Sequence, residues 1–317
     1  MGNEIEILKL YKIGVLAGGP SREREISLKS GKAVFDALTD LDLETVFIDV
    51  KEEDVSRVID AADIDIAFIA LHGRFGEDGT VQKILEDKNI PYTGSGTRSS
   101  RIALDKIGSR NRFAEDGLTI PEYRVVDRKG VFAEGEHFFP CVVKPQYEGS
   151  SIGLSVVRHR DDMGEAVRKA ADCGGRIIVE KFIPGRELTV GVLDGRPLPV
   201  VEIVPAEGVY DFDAKYRAKD TMYVVPAGLD EDDYKRVQEA GLKAHQALGC
   251  EGFSRVDIRF SDKGRIYILE VNTIPGLTER SLLPKAAAAA GVTFPGLCVK
   301  ILMGALAKKS SMAGKEQ

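Results

Sequence analysis

Residues 253–276 decide the fold, and they read FSRVDIRFSDKGRIYILEVNTIPG. Two runs rich in Val, Ile, Phe and Tyr flank a short polar loop that ends in Gly264, a pattern that predicts a β-hairpin. Side chains alternate between the two faces of a strand. Arg255 and Asp257 therefore share one face of the first strand, and Glu270 and Asn272 share one face of the second.

The register of this hairpin decides whether those side chains meet. A symmetric loop places residue 255 opposite 270, and a slip of two residues places 257 opposite 270. Either register gathers the four polar side chains into one patch, whereas an odd slip would separate them. Two carboxylates and an amide oxygen beside an arginine can hold Mg²⁺ together with substrate phosphates. A solvated strand face with ordinary ion pairs fits the local sequence equally well.

Length and composition limit the class of protein. The chain has 317 residues, which predicts two or three domains, and its 43% apolar and 30% charged residues are typical of a soluble globular protein. A net charge of −6 without a dense basic block argues against nucleic acid as the main partner. No signal peptide and no long apolar run is apparent, and Cys141, Cys173, Cys250 and Cys298 are widely spaced. We therefore expect a cytoplasmic protein with reduced thiols and no membrane partner.

The first hundred residues alternate between predicted strands and helices. Apolar runs at 11–17, 45–50 and 64–71 predict strands of a parallel, doubly wound sheet. Ligands of such sheets bind at the carboxyl ends of the strands, where polar loops carry Glu23 and His72. Neither loop has the G-x-G-x-x-G pattern of dinucleotide binding. From the local sequence alone, Glu23 is better interpreted as an acid in the first turn of a helix, and His72 as a loop histidine without partners.

Two lysines and a small-residue loop dominate the middle of the chain. A helix predicted over 101–114 carries Lys106, and Lys144 ends a predicted strand before the loop 149–153, Gly-Ser-Ser-Ile-Gly. Backbone N–H groups of such a loop can bind phosphate, and a lysine adds a point charge. The Walker A pattern is absent. A solvated helix lysine and an ordinary hairpin loop are the alternatives.

Two further stretches complete the pattern. An apolar strand edge within 176–190 can offer hydrogen bonds to a planar base, with Glu187 available for a ribose. An ordinary sheet edge fits the local sequence equally well. The long polar segment 205–227 carries Lys215 and Tyr216. A polar loop of this length in a compact domain is usually either functional or disordered, and the two aromatic residues before Lys215 favour a lid over a flexible linker.

Taken in this order, the motifs resemble those of the D-alanine–D-alanine ligase family, which belongs to the ATP-grasp carboxylate–amine ligases. The resemblance covers approximately residues 11–305. It rests on six stretches: GGPSREREIS at 18–27, HGRFGEDG at 72–79, KPQYEGSSIG at 144–153, YDFDAKY at 210–216, RVD at 255–257 and EVNTIPG at 270–276. It implies an α/β protein in which an ATP-grasp fold follows a Rossmann-like parallel-sheet N-terminal domain. The implied domains are the N-terminal domain at 1–103, a central lid subdomain at 104–190, and a C-terminal subdomain at 191–317 with the metal site and lid loop.

The resemblance also implies roles for individual residues. The positions that match ATP-binding residues are Lys106, Lys144, Ser151, Glu180, Phe182, Glu187, Lys215 and Asn272, with Glu180 at the adenine and Glu187 at the ribose. Those that match ligands of two Mg²⁺ ions, for which Mn²⁺ can substitute, are Asp257, Glu270 and Asn272. The substrate-binding matches are Glu23, His72, Lys215, Ser281 and Leu282. The catalytic matches are Glu23, Ser150, Tyr216, Arg255, Gly276 and Ser281.

Within the catalytic set, the resemblance assigns Arg255 and the Gly276 N–H to the developing oxyanion. It assigns Glu23, Ser150 and Tyr216 to a hydrogen-bonded triad that ties the lid to the first domain. Phe75 departs from the pattern, because many relatives have a small residue there.

The implied reaction is the ATP-dependent joining of two D-alanine molecules through an acylphosphate and a tetrahedral intermediate, which supplies peptidoglycan precursor synthesis. ATP and D-alanine are the expected small-molecule partners, and a homodimer is compatible with the family. A D-alanine–D-lactate ligase and another ATP-grasp amino-acid ligase are the alternatives. Tyr216 favours the dipeptide, since depsipeptide ligases typically lack it. A non-catalytic nucleotide-binding module has no need of an oxyanion donor such as Arg255.

Overall fold

The computed structural model describes residues 1–51, 55–126, 139–204 and 221–313, with side chains as far as residue 308. Its first sheet has three parallel strands in the order β2–β1–β3. These strands are β1 (Ile13–Gly18), β2 (Thr45–Val50) and β3 (Ile66–Ile69). The accompanying helices are α1 (Gly2–Leu8), α2 (Arg24–Thr39), α3 (Val55–Ala62) and α4 (Thr80–Asp87). Helices α2 and α3 connect the parallel strands, so the predicted Rossmann-like arrangement is confirmed.

The second sheet is antiparallel and has its own core. Its four strands, in the order β4–β7–β5–β6, are β4 (Tyr123–Val126), β5 (Cys141–Pro145), β6 (Ser155–Val157) and β7 (Ile177–Lys181). Helix α7 (Met163–Ala171) covers one face, where Met163 and Val167 pack with Val143 and Val179. The predicted strand–loop–strand around 149–153 is the β5–β6 hairpin.

The third sheet has six strands and carries the hairpin. Its order is β11–β10–β8–β12–β13, with β9 paired to β8. The strands are β8 (Gly185–Leu193), β9 (Arg196–Pro197), β10 (Val201–Val204), β11 (Met222–Val224), β12 (Phe253–Ser261) and β13 (Ile266–Asn272). The helices α5 (Thr97–Leu104), α6 (Lys106–Glu115) and α8 (Glu231–Ala247) pack on this sheet.

The first and third sheets share one hydrophobic core. Helices α9 (Leu282–Ala289) and α10 (Phe294–Ala313) bring Leu283 and Leu302 into a cluster with Val15 of β1 and Ile203 of β10. The loops after β1 and β3 are therefore held beside the hairpin. Among the described helices, no single one is long and apolar enough to cross a membrane, and α9 and α10 reach the required length only as a pair bent by 101°.

One predicted helix differs from the structure, and two predicted domain boundaries fall within its helices and strands. The helix predicted over 101–114 is two helices, because Asp105 is extended and its carboxylate accepts the Ile107 N–H at 3.0 Å as the N-cap of α6. Helix α6 follows residue 104, where the central lid subdomain is predicted to start. Its Phe113 nevertheless packs in the core of the six-stranded sheet. The predicted boundary at 190/191 falls inside β8, whereas the sheets divide between Lys181 and Gly185.

Candidate active site

Asp257 lies opposite Glu270, and Arg255 lies opposite Asn272, across the β12–β13 hairpin. This is the register predicted for a slip of two residues. Nearer the loop, Ile258 pairs with Ile268, so Leu269 is an extra residue and forms a β-bulge.

The bulge explains an irregularity in burial along β13. Ile268 and Val271 are three positions apart, yet both lie in the core with Ile258. A regular strand would turn one of them to the opposite face. The bulge instead places Leu269 and Glu270 together on the face that carries Asp257, and all three line one cleft.

Asp257 is the centre of a hydrogen-bond network on that face. Arg255 donates to both carboxylate oxygens, Nε to Oδ1 and Nη2 to Oδ2, each at 2.8 Å. Thr189 of β8 donates to Oδ1 at 2.9 Å, and the Asn272 side-chain amide donates to Oδ2 at 3.2 Å. Asp257 is only 8% exposed.

Glu270 also has a cationic neighbour. Lys106 Nζ lies 3.2 Å from Glu270 Oε2 and 2.6 Å from the main-chain oxygen of Glu148 in the β5–β6 loop. Lys106 is buried, which excludes the solvated helix lysine that the local sequence allowed. Its ammonium therefore connects the hairpin to the small-residue loop.

The donor set fits a hard divalent cation that is shared with an anionic substrate. The described residues contain no cluster of three His, Cys, Asp or Glu side chains able to hold a metal ion alone. Asp257 and Glu270 supply carboxylates, and Asn272 supplies an amide oxygen. Mg²⁺ keeps six oxygen ligands and commonly takes several from substrate phosphates.

A first cleft, of about 850 Å³, lies between the four-stranded and six-stranded sheets. It is lined by the predicted residues Lys106, Lys144, Ser151, Glu180, Phe182, Glu187, Asp257 and Glu270. Val142 and Leu269, from the two sheets, give the cleft apolar walls that suit a flat apolar group.

A buried ion network forms the floor of the first cleft. Glu180 Oε1 accepts from Lys144 Nζ at 2.6 Å, and its other oxygen accepts from Arg110. Arg110 is fully buried and also donates to the Lys106 main-chain oxygen at 2.9 Å. Burial lowers the pKa of Lys144 to about 8, with the positive charge of Arg110 acting in the same direction and Glu180 opposing both. Burial favours a higher pKa for Glu180, but Lys144 and Arg110 outweigh it and lower that pKa.

The far end of the first cleft carries a second ion pair. Arg259 of β12 donates to Glu187 Oε2 at 3.1 Å and lies over the Phe182 ring at 5.5 Å. The predicted strand edge offers few main-chain donors here, since the Phe182 N–H donates to Pro140 and the Lys181 N–H to Glu122.

A second cleft, of about 1530 Å³, adjoins the first across the hairpin. It is lined by the predicted residues Glu23, His72, Ser150, Arg255, Asn272, Gly276, Ser281 and Leu282. Since Arg255 lines the second cleft and Asp257 the first, their ion pair marks the point where the clefts meet.

The β5–β6 loop closes over this junction. Ser150 donates its hydroxyl to the Glu23 carboxylate, so the loop is tied to the first domain. Ser150 and Ser151 have φ values of 50° and 58°, which are consecutive left-handed conformations that non-glycine residues rarely adopt. The tie holds the loop in this conformation.

His72 has two partners, so the interpretation of an isolated loop histidine is wrong. Its Nδ1 lies 2.9 Å from the Ile274 main-chain oxygen, and its Nε2 lies 2.9 Å from Ser30 Oγ. Burial lowers its pKa to about 4, with the Arg255 charge acting in the same direction, so the ring is neutral near neutral pH.

Glu77 and Ser281 complete the wall of the second cleft. Glu77 accepts the Gly73 N–H at 2.7 Å and the Ile274 N–H at 3.2 Å. Burial and the nearby Glu23 charge raise its pKa to about 8. Ser281 is the N-cap residue of α9, and its Oγ lies 3.1 Å from the Thr278 N–H.

Two family models match most of the chain. One, described as D-ala D-ala ligase N-terminus, matches residues 50–95, and another, described as D-ala D-ala ligase C-terminus, matches residues 113–303. The chain is 46% identical over 308 residues to a D-alanine–D-alanine ligase of Geotalea uraniireducens, covering 96% of this chain and 99% of that protein. The chain belongs to the D-alanine–D-alanine ligase family. It is also 47% identical over 301 residues to such a ligase of Geobacter sulfurreducens, covering 94% and 95% of the two proteins.

Solved structures agree with this family assignment. A Bacillus anthracis D-alanine–D-alanine ligase in complex with ATP superposes with a TM-score of 0.83 at 33% identity, covering 95% of this chain and 99% of that one. A D-Ala:D-Ser ligase of Enterococcus faecalis superposes with a TM-score of 0.78 at 28% identity, covering 92% and 98%. The ATP-grasp fold predicted from the motifs is therefore confirmed.

Every residue to which the family resemblance assigns a role lines one of the two clefts, apart from Lys215 and Tyr216, which lie outside the described residues. Sequence reasoning assigned no role to Arg110, Thr189 and Arg259, each of which holds a predicted carboxylate. Arg110 had one available signal, since it lies four residues after Lys106 on the same helix and so on the same face.

Proposed function

We propose that the protein joins two D-alanine molecules into D-alanyl-D-alanine with one ATP, as a step in peptidoglycan precursor synthesis. The observation that carries the proposal is that the two clefts adjoin along one hairpin. A nucleotide in the first cleft and amino acids in the second would meet at the Arg255–Asp257 pair. An enzyme that phosphorylates a carboxylate and then passes it to an amine needs both substrates at one such junction.

We infer that ATP binds in the first cleft. Lys106, Lys144 and the 149–153 loop with Ser151 would hold its phosphates, since they combine two ammonium groups with main-chain donors. Glu180 and Phe182 would contact the adenine and Glu187 the ribose. Lys106 would turn from Glu270 toward the phosphates, because an ammonium group that pairs with one carboxylate gains more from several phosphate oxygens.

Asp257, Glu270 and Asn272 would hold two Mg²⁺ ions together with phosphate oxygens. When bound, these ions neutralise the charge that repels a carboxylate from the γ-phosphate, and Mn²⁺ suits the same oxygen ligands. The positions of Arg255 and Lys106 beside two of these carboxylates support the proposal that this face attracts cations. With phosphate oxygens as the remaining ligands, the proposed metal site needs no further side chain from the protein.

The first half-reaction activates a carboxylate. Glu23 would hold the ammonium group of the first D-alanine, and the carboxylate oxygen of that alanine would attack the γ-phosphorus while ADP leaves. The acylphosphate product hydrolyses readily, so water must be kept out. The Ser150–Glu23 tie supports a closed loop, and Lys215 and Tyr216 are proposed to complete the lid.

The second half-reaction forms the peptide bond. The amine of the second D-alanine, held by Ser281, Leu282 and Lys215, would attack the acyl carbon, and phosphate would leave from the tetrahedral intermediate. Arg255 and the Gly276 N–H would stabilise its oxyanion. Loss of one such donor typically raises the barrier by about 2.7–4 kcal/mol, which makes these two groups the most sensitive part of the site.

Phosphate release and dipeptide formation in the presence of Mg²⁺, ATP and D-alanine test the proposal. We expect release to require D-alanine and to match the dipeptide formed. Adding D-lactate near neutral pH checks the depsipeptide alternative, and other amino acids check the broader ATP-grasp alternative. An absence of D-alanine-dependent turnover would contradict the proposal.

The remaining features of the proposal are a cytoplasmic location and a homodimer. ATP is a cytoplasmic substrate, and Cys141, Cys250 and Cys298 are buried free thiols, as expected in a reducing compartment. We further propose the three-part division of the chain, with the second boundary moved to the segment between β7 and β8. Sedimentation of the purified protein, with and without ATP, would test the dimer.

A further inference from the structure

Ser30 contacts two parts of the second cleft from the inside of α2. It is fully buried. Its Oγ lies 2.9 Å from His72 Nε2 and 3.3 Å from the Leu277 main-chain nitrogen. One hydroxyl therefore connects the first domain to the loop 274–277 that follows the hairpin.

We infer that Ser30 is a positioning residue that acts through His72, and that the pair brackets the loop 274–277 so that the Gly276 N–H faces the second cleft. The role of this bracket in catalysis rests on the proposed function, since it concerns the proposed oxyanion donor. The bracket itself rests only on hydrogen bonds between described residues.

The chemistry of the acceptors fixes the direction of each hydrogen bond. The Ile274 main-chain oxygen can only accept, so His72 Nδ1 must carry the hydrogen of their 2.9 Å contact. The ring is neutral near neutral pH, so Nε2 has a lone pair and accepts the Ser30 hydroxyl hydrogen. The Ser30 oxygen then accepts the Leu277 N–H.

This relay holds the loop at both ends. His72 fixes Ile274 through its main-chain oxygen, Glu77 fixes the same residue through its N–H, and Ser30 fixes Leu277. Gly276 lies between the fixed ends and lines the second cleft. Among the described residues, none accepts a hydrogen bond from the Gly276 N–H, in contrast to its fixed neighbours. A main-chain donor that is oriented before the reaction stabilises an oxyanion without reorganising.

The relay also assigns a different role to His72 from the substrate-binding role that the family resemblance implies. Both ring nitrogens are used within the protein, one as donor and one as acceptor. A histidine with both nitrogens engaged and a lowered pKa is suited to hold a loop.

Ser30→Ala and Ser27→Ala form a matched pair of variants for the test. Ser27 lies on the same helix, is also fully buried, accepts the Gly18 N–H at 2.8 Å and donates to the Ala70 main-chain oxygen at 2.8 Å. Both substitutions remove a buried hydroxyl with two partners, but only Ser30 contacts the 274–277 loop. We expect similar losses of thermal stability from the two.

The kinetic results should separate the two variants. We expect Ser30→Ala to lower kcat for dipeptide synthesis roughly tenfold to a hundredfold with KM for ATP unchanged, because a misaligned oxyanion donor affects the transition state. Ser27→Ala should leave kcat within about threefold of the wild type, since the Ser27 hydroxyl contacts Gly18 and Ala70 and not the 274–277 loop. Equal kcat losses in both variants, or a wild-type kcat in Ser30→Ala, would overturn the inference.

The tautomer of His72 tests the bracket without reference to activity. Nitrogen-15 NMR of the ligand-free wild-type protein near neutral pH should show a neutral ring with the hydrogen on Nδ1. The chain has four histidines, so a His72→Gln variant assigns the signals. A ring protonated on both nitrogens, or with its hydrogen on Nε2, would overturn the bracket even if Ser30→Ala failed to fold. A wild-type protein with the expected tautomer but no dipeptide synthesis would refute only the proposed function.

Discussion

Asp257 lies opposite Glu270 because Leu269 bulges out of β13. Continued from the loop without the bulge, the register would pair Glu270 with Val256, whose side chain is fully buried in the core. One extra residue therefore puts both carboxylates on the cleft face. It also adds an apolar side chain beside them, since Leu269 lines the first cleft.

Leu269→Ala is expected to weaken ATP binding and leave the chemical step nearly intact. The variant keeps the bulge and the register but removes apolar surface that a base would cover. Losing the contacts of a leucine side chain costs about 1.5–3 kcal/mol when burial is complete, so we expect KM for ATP to rise roughly tenfold with kcat little changed. A large fall in kcat at unchanged KM would contradict the assignment of this wall to the nucleotide.

Asp257→Asn and Glu270→Gln are each expected to abolish turnover. Both substitutions keep the shape of the side chain but remove the charge that a divalent cation needs. Steady-state rates across a Mg²⁺ titration provide the measurement. Glu239→Gln, at an exposed position on α8, is the control and should behave as wild type. Near-wild-type activity in both site variants would refute the metal assignment.

The affinity of the free protein for ATP should fall as the pH rises through about 8. The pKa of Lys144 lies at about 8 because the group is buried, so its ammonium loses its charge in this range and attracts phosphate less. Calorimetric titration with ATP, without D-alanine and at constant ionic strength, measures the effect. Lys144→Arg remains charged throughout and should flatten the profile. A wild-type affinity that stays constant through this pH range would show that Lys144 is not a phosphate ligand.

The buried His245 should make the protein less stable as the pH falls from about 6.5 to 4. Burial lowers its pKa to about 4, and its Nδ1 lies 2.7 Å from Ser254 Oγ. Only the unfolded chain takes up a proton in that window, which lowers the free energy of unfolding by at most about 1.4 kcal/mol per pH unit. Above the window both states are neutral and the contribution is constant.

Urea unfolding of wild type and His245→Asn across this range isolates the effect. The variant lacks the titrating ring, so the stability difference between the two proteins should be constant above the window. The stability difference should then become smaller as the pH falls from about 6.5 to 4. A difference independent of pH would show that His245 titrates alike in the folded and unfolded chains.

The sequence predicted the parallel sheet from apolar runs that alternate with helical stretches, and the hairpin from two such runs around a polar loop that ends in Gly264. It could not predict the bulge. The stretch Ile266–Asn272 is apolar at both Ile268 and Leu269, so alternation does not reveal which residue is extra. The sequence also could not predict that a new helix begins at Lys106. Asp105 is recognisable as its N-cap only from the contact between its carboxylate and the Ile107 N–H.

The missed residues are those whose partners are distant in the chain. Arg110 and Glu180 are 70 residues apart, and Ser30 and Leu277 are 247 apart. The spacing from Lys106 indicates the helix face of Arg110 but not its partner, and nothing in the local sequence marks either contact. Only the folded structure shows which polar side chains are buried, and buried polar groups are nearly always hydrogen-bonded.

Transfer of oxygen from D-alanine to phosphate tests the central claim most directly. D-alanine labelled with ¹⁸O in its carboxylate is incubated with ATP and Mg²⁺, and the released phosphate is analysed by mass spectrometry. The carboxylate oxygen that attacks the γ-phosphorus stays on phosphorus when the amine displaces phosphate, so each dipeptide should yield one labelled phosphate. Unlabelled phosphate would mean that ATP hydrolysis is separate from ligation and would contradict the proposed mechanism.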